Sequence, residues 1–287
     1  MATGAEELID NTTADASIPE LWSRRRIVAR QDRLCFEDLV DTEYKEAMKF
    51  GDTIHVGNYG HLSTRSKTAN TAITFETETP TNTDILINVN EYAAIGVENV
   101  TTVQSMIDLI EAYAPEMTYA LDKAVDDVLA GLVDDFGTNI VGSLSVDLSY
   151  ADMLEARMKL ANANVPDDDI NIVISPKQEA AWLQLDHFIN RDYTEATGAG
   201  KGFKGKRAYI GHWMTFPVWR SVNVEGSDAA GHDNTMFHKG ALALVKQQAP
   251  KTTTQYDIHY DARLVLQTQI YGTKEMRDDH GCWLRGA

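Results

Sequence analysis

Between Thr101 and Val133 the chain places apolar residues at Val103, Met106, Ile107, Ile110, Tyr113, Met117, Leu121, Val125, Val128, Leu129 and Leu132. The spacing is i, i+3, i+4, i+7, which makes one continuous stripe down one side of a helix. Thr101 with Gln104 fits a capping box, in which each side chain takes up a backbone N–H that the first turn leaves free. Such a helix runs about 45–50 Å, far longer than most globular helices. A rod of that length is a strut on which other elements lean. Pro115 removes one backbone donor and crowds the preceding turn, so a kink is expected near Ala114, or two abutting helices.

The strut is preceded by two stretches that cannot bury themselves. Residues 1–17 hold four acids and no apolar periodicity, and read as a mobile tail. Pro19 opens a short helix with Leu21 and Trp22 as anchors, followed by Arg24, Arg25, Arg26, Arg30 and Arg33. Leu34, Phe36, Leu39, Val40 and Tyr44 continue with helical spacing. The first fifty residues are therefore a tail and an arm with too little apolar mass to fold alone. From Gly51 to Asn90, β-formers come in short alternating runs: Ile54 and Val56, Ile73 and Phe75, then Ile85, Ile87 and Val89. Between them lie small and polar residues, so one face of the expected hairpin carries almost nothing bulky. A long hairpin of that kind is marginal unless laid on another surface.

After the strut the chain is more ordinary. Ser149 with Asp152 opens a helix through about Asn162, and Val165-Pro166-Asp167 turns. Ile170, Ile172, Val173 and Ile174 make a short buried strand, and Pro176 starts the next helix with Ala180, Ala181, Trp182 and Leu185. Alternating strands surround Tyr209, Trp213, Phe216 and Val218. The C-terminal segment holds an apolar run at Ala241–Val245, then Tyr256, Ile258 and Tyr260, then Leu264, Leu266 and Ile270, each alternating with polar neighbours. These read as half-buried antiparallel strands that pair near the strut. The fold class is α+β: a strut domain split in sequence, an inserted αβα domain, a projecting hairpin and a free arm.

Composition narrows the function. The 287 residues are 43% hydrophobic, enough for one large core or two modest ones. A net charge of −17 repels nucleic acid and anionic membrane at long range. No apolar run approaches the roughly 20 residues a membrane helix needs. The N-terminus is polar and acidic, unlike a signal or transit peptide. Cys35 and Cys282 are single and far apart, giving neither a disulfide framework nor a metal-ligand pair, and a reduced cytosolic setting is the default.

Chemical motifs are equally sparse. The loop from Gly200 to Arg207 nearly fits a phosphate-binding loop, but Arg207 stands where magnesium needs Ser or Thr, and the flanking strand and helix are missing. It reads as a mobile basic loop. Of eight histidines, His55 and His61 with Asp84 are conceivable ligands, and His232 and His238 are neighbours, yet none has metal-motif spacing. Asp167, Asp168 and Asp169 lack the alternation and glycine of a calcium loop. Ser143, Ser145 and Ser149 are not in a nucleophile-elbow context. Asp126-Asp127 and Asp134-Asp135 are adjacent helix positions that face apart, and read as solvated surface. The arginines of residues 24–33 pair with the chain's own acids, or contact an acidic neighbour subunit or enclosed nucleic acid. No cofactor, metal or catalytic group is expected. What remains is an arm, a hairpin and a strut whose surfaces one chain cannot bury, the marks of an assembly protein.

The order of parts resembles the tailed-bacteriophage major capsid proteins of the Hong-Kong-97-type capsid fold. The resemblance runs from about Ile18 to the C-terminus. It is carried by IPELWS (18–23), FGDTIHVGNYG (50–60), ILINVNEYAAIGVENV (85–100) leading into the strut, NIVISPKQEAAWL (171–183) and TMFHKGALALVKQQ (235–248). It implies an N-terminal arm (1–50), an extended loop (51–91), a peripheral domain with a spine helix (92–146 and 241–287) and an axial domain (147–240). It further implies a non-enzymatic subunit that assembles with itself, as hexameric and pentameric capsomers, into an icosahedral shell around double-stranded DNA. The DNA is enclosed without sequence-specific binding and without a membrane. Arm and loop reach across neighbours in that family, which singles out Trp22, Arg24, Arg25, Arg26, Arg30, Arg65, Lys67 and Phe75 as expected inter-subunit contacts. The arm begins almost at once, so a separate scaffolding protein, or none, is expected, with portal and decoration proteins as further partners. Assembly would take place in the bacterial host cytoplasm and end in the virion. Two alternatives stay open: an encapsulin-like compartment shell, and a soluble nucleotide-binding enzyme using residues 200–207.

Overall fold

The computed structural model describes residues 31, 34–44, 51–104, 109–184 and 208–286. A single helical turn, α1 (Phe36–Leu39), buries Phe36 and Leu39. A two-stranded ribbon follows, β1 (Thr53–Asn58) antiparallel to β2 (Thr81–Leu86). Then β3 (Val89–Glu98) runs straight into α2 (Asn99–Gln104), and α3 (Leu109–Gly131) lies beyond. The helical region thus starts two residues before the expected cap. Thr101 is inside α2, which removes the expected capping box, and the neighbouring Thr102 hydroxyl donates back to the Glu98 carbonyl at 3.1 Å. Residues 105–108 lie outside the described residues, so the two helices are described separately. α3 continues through Pro115 without dividing, and buries Met117, Leu121, Val125 and Leu129 at every fourth position. One missing backbone bond is tolerated because the turns on either side keep theirs and the buried stripe holds the rod in place.

Beyond α3 come β4 (Ile140–Gly142), α4 (Tyr150–Asn162), β5 (Ile170–Ile174) and α5 (Pro176–Trp182). Both helix starts follow the sequence. Ser149 and Asp152 form a reciprocal capping box, and Ser175 caps α5 ahead of Pro176. All five positions of β5 are buried, as a continuous apolar run requires. After β6 (Tyr209–Trp213), β7 (Phe216–Arg220), β8 (Gly226–Ser227) and β9 (Gly231–His238), the chain makes β10 (Leu242–Asp257), β11 (Ala262–Glu275) and β12 (Gly281–Gly286).

Two larger sheets result. One is a three-stranded antiparallel sheet in the order β10-β11-β3, with α3 across one face. The other is seven-stranded in the order β4-β12-β9-β5-β7-β6, with β8 added on β9, and it packs on α4 and α5. Its β12–β4 and β5–β7 pairs are parallel and the rest antiparallel. The last strand lies beyond the C-terminal runs expected to pair near the strut, and β12 pairs with β9 and β4. Among the described residues the chain passes between the two sheets three times, from α3 to β4, from β9 to β10 and from β11 to β12.

The expected inward face of β11 is also reversed. Val265, Gln267, Gln269 and Tyr271 point into the molecule, while Leu264 and Leu266 are exposed. The buried glutamines are spoken for by the helix. The Thr118 hydroxyl donates to Gln267 Oε1 at 3.2 Å, and Gln269 Nε2 donates to the Leu121 carbonyl at 2.8 Å. Each glutamine gains a partner inside that water no longer supplies.

Candidate assembly surfaces

The ribbon β1–β2 stands on a small core of its own. Ile85 and Ile87 are buried against Ala243 and Val245, with Ile54 and Val56 packed alongside. The six paired positions end at Asn58–Thr81. Beyond them, residues 59–80 form no ladder, so the expected strand around Ile73 and Phe75 is not made. The two limbs nevertheless stay in step. The Glu78 carboxylate lies over Gly60. Ser63 donates to Glu76 through both its amide (3.0 Å) and its hydroxyl (2.7 Å), which holds the Glu76 carboxyl below its usual range. At the tip the Thr71 amide donates to the Thr68 carbonyl at 3.3 Å, and Asn70 takes a positive φ of 62°. That is the turn position where asparagine is tolerated. Side chains thus replace main-chain bonds as the rungs of the outer hairpin.

This projecting segment exposes large apolar side chains: Phe75 at 87%, Tyr59 at 76%, Leu62 at 70% and Ile73 at 62%. Arg65 and Lys67 are exposed beside them. At its root His55 Nδ1 meets Asp84 Oδ1 at 2.5 Å across the ladder, whereas His61 lies out on the limb. Among the described residues no group of three metal-ligating side chains exists.

A second surface is the outer face of the three-stranded sheet. Tyr92, Leu264 and Leu266 lie on it, and Tyr256, Ile258 and Tyr260 are exposed around the turn that joins β10 to β11. α3 covers the opposite face only.

The third is the arm root. Of the arm residues expected at interfaces, Trp22, Arg24, Arg25, Arg26 and Arg30 lie outside the described residues. Where description resumes, the arm is anchored firmly. Asp41 forms a parallel bridge to Ala243, donating to the Leu242 carbonyl at 3.0 Å and accepting from the Leu244 amide at 2.9 Å. Lys246 Nζ reaches Glu37 Oε1 at 2.6 Å. Underneath, Asp126 Oδ1 accepts the amides of Cys35 (3.1 Å) and Phe36 (2.8 Å), and its Oδ2 accepts Asn223 Nδ2 at 2.9 Å. Asp126 is fully buried, which corrects its reading as solvated surface, while Asp134 and Asp135 are exposed as expected. It follows Val125 in the buried stripe, and the unpaired amides at the start of α1 give its charge somewhere to go. Burial pushes its carboxyl up; the Asn223 amide, then the amides of Phe36, Cys35 and Glu37, pull it back. Nothing in the Asp126 pattern alone distinguishes it from Asp127; the signal is its adjacency to the stripe.

Neither cysteine is placed for chemistry. Both are buried and free, with burial pushing the Cys282 thiol up to about 12 and the Cys35 thiol higher still. Ser149 and Ser175 serve as helix caps. The basic loop 200–207 lies outside the described residues.

No protein-family model matches the chain, and no curated protein matches it. Solved structures do. A structure from Mycobacterium phage Che8 superposes with a TM-score of 0.79 at 24% identity, covering 93% of this chain and 96% of that one. The capsid structure of cyanophage P-SCSP1u gives 0.76 at 18% identity, covering 100% and 99%. This chain has the phage capsid fold. A chain in the asymmetric unit of the bacteriophage PhiM1 mature capsid extends the likeness, with a TM-score of 0.68 at 13% identity over 93% and 91%. Identities this low with near-complete coverage in both directions show a shared fold without close similarity in sequence.

Proposed function

We propose that this chain is the major capsid protein of a tailed bacteriophage, a structural and non-enzymatic subunit that assembles with itself into an icosahedral shell around double-stranded DNA. The observation that carries the reading is the end-to-end match to a phage capsid subunit, covering 100% of this chain and 99% of the cyanophage P-SCSP1u structure. The exposed apolar hairpin supports it, because its side chains are stable only against a second surface. In this reading residues 1–50 are the arm, 51–91 the extended loop, 92–146 with 241–287 the peripheral domain, and 147–240 the axial domain of a Hong-Kong-97-type subunit. Arm and loop lie on neighbours in hexameric and pentameric capsomers, with Arg65, Lys67 and Phe75 on the loop and Trp22, Arg24, Arg25, Arg26 and Arg30 on the arm. A shell of subunits each carrying −17 holds DNA without gripping it. A separate scaffolding protein, or none, together with portal and decoration proteins completes the particle, which forms in the host cytoplasm. The phage origin of the matching capsids does not favour a compartment shell.

Light scattering with negative-stain electron microscopy on the purified chain tests this. Closed particles of one diameter are expected, and deletion of 58–79 should leave a folded subunit that makes none. Shells of normal size from the deletion would remove the hairpin from the argument. A chain that stays monomeric even with its scaffolding protein would overturn the reading.

A further inference from the structure

The three-stranded sheet ends in β10 on one side and β3 on the other, and the two edges are not alike. The β10 edge is blunted. Its register with β11 shifts between Lys246 and Gln248 and again between Gln248 and Lys251. Pro250 has no amide to offer, Lys251 follows it, and Asp41 already bridges Ala243 near the start of the strand. Register breaks, proline and lysine are what keep an edge from taking on another strand. β3 carries none of them. Its register with β11 runs unbroken from Val89 to Glu98, and between Tyr92 and Val97 it holds no charge. Among the described residues no strand pairs with its other side. Every second residue of an antiparallel strand turns its N–H and C=O away from the partner, so β3 presents a row of main-chain donors and acceptors.

A cavity adjoins this strand. It measures about 280 Å³ and is lined by residues 90–93 of β3 and by Ala120, Leu121 and Ala124 of α3. A cavity of roughly 150 Å³ takes a benzene ring, so there is room here for an aromatic side chain, with alanines for walls.

The projecting hairpin holds a strand with the opposite shortage. Residues 71–79 carry four threonines with Ile73 and Phe75, all good β-formers, yet they belong to no ladder. Ile73 and Phe75 are two apart, so both side chains fall on one face, and both are exposed. This limb cannot reach the β3 of its own chain. β2 lies between them and, being extended, carries the limb roughly 15–20 Å from the root of β3.

We propose that residues 71–79 of one copy add to the free edge of β3 in a second copy, as a fourth strand of that sheet, with the Phe75 ring in the cavity beside Ala120 and Ala124. The inference rests on the shell reading, which supplies the second copy. It adds that the hairpin is held by main-chain hydrogen bonds, with one aromatic side chain setting the register.

Hydrogen exchange with mass spectrometry, comparing wild-type particles with unassembled subunits, gives one measurement. Amides in both 71–79 and 90–97 should exchange about tenfold more slowly in particles. A benzophenone amino acid in place of Phe75 gives the other, in subunits diluted into an excess of wild type labelled with heavy nitrogen. Phe75 is exposed and outside every ladder, so the replacement leaves the subunit folded, and dilution lets particles form around it. Irradiation should join position 75 of the light chain to residues 90–93 or 120–124 of a heavy chain. Unchanged exchange at 90–97, or crosslinks that land on the arm, on another hairpin or within the same chain, overturns the strand addition while the shell stands. A wild type that forms no particles even with its scaffolding protein overturns the shell reading, and the strand addition with it.

Discussion

Asp126 brings a formal charge into a site with no exposure, and both of its oxygens are occupied by groups from other parts of the chain: arm-root amides on one and Asn223 on the other. Truncation to alanine strands three donors at once. Asp126→Ala should therefore destabilise the subunit by about 1–3 kcal/mol in urea titration, with Asp126→Asn, which keeps an acceptor, costing less. Amide exchange at Cys35 and Phe36 should rise more than at Leu129, since the arm root loses its anchor before the rod does. Glu275 makes the opposite kind of prediction. Burial, then Asp278 and Asp135, push its carboxyl up to about 7 from an ordinary 4.5. An acid whose folded value is raised favours folding below about 4.5 and loses that contribution as the pH climbs through about 7. Glu275→Gln should flatten that part of the stability profile, seen as a urea midpoint that changes less than wild type between the two pH values.

At the level of elements, the ribbon β1–β2 is seated by close backbone approach. A methyl group on Gly272 would run into the Leu86 carbonyl and the Ile87 backbone, and neither can rotate away. Gly272→Ala should tilt the hairpin off its base, lowering shell yield in electron microscopy more than it lowers the melting temperature; equal losses would mean the contact serves only the core. The sequence spoke clearly where local chemistry decides structure. Ser149 with Asp152, Ser175 with Pro176 and the all-apolar β5 are local signals, and each element forms where they place it. It misled where a partner distant in the chain decides. Leu264 and Leu266 look like the inward face of β11, but α3 offers Thr118 and the Leu121 carbonyl to Gln267 and Gln269, and those contacts turn the strand over. Thr101 looks like a cap, but β3 carries the chain directly into α2. Ile73 and Phe75 alternate like a strand, yet among the described residues no neighbouring strand completes the ladder.

For the whole molecule, charge and exposed apolar surface pull in opposite directions. Copies carrying −17 repel one another, while exposed Phe75, Tyr59, Leu62 and Ile73 favour contact. Added salt screens the first, since the Debye length shortens from about 10 Å at 0.1 M to about 3 Å at 1 M. The subunit concentration at which light scattering first detects shells should therefore fall as salt rises over that range. A threshold that rises instead would make ion pairs, not apolar contact, the main glue.

The outer hairpin keeps its two limbs aligned through Ser63 and Glu76 and a single tip turn, but completes none of its main-chain ladder. Alignment without a ladder has a kinetic cost. The first copies to meet must order their limbs against each other with few contacts in return, whereas a copy joining a formed rim lands on limbs already in place. In the proposed shell, growth of a particle would then be far faster than its birth. Time courses should show a lag, which seeding with preformed fragments abolishes, and the same asymmetry would keep partly built particles rare.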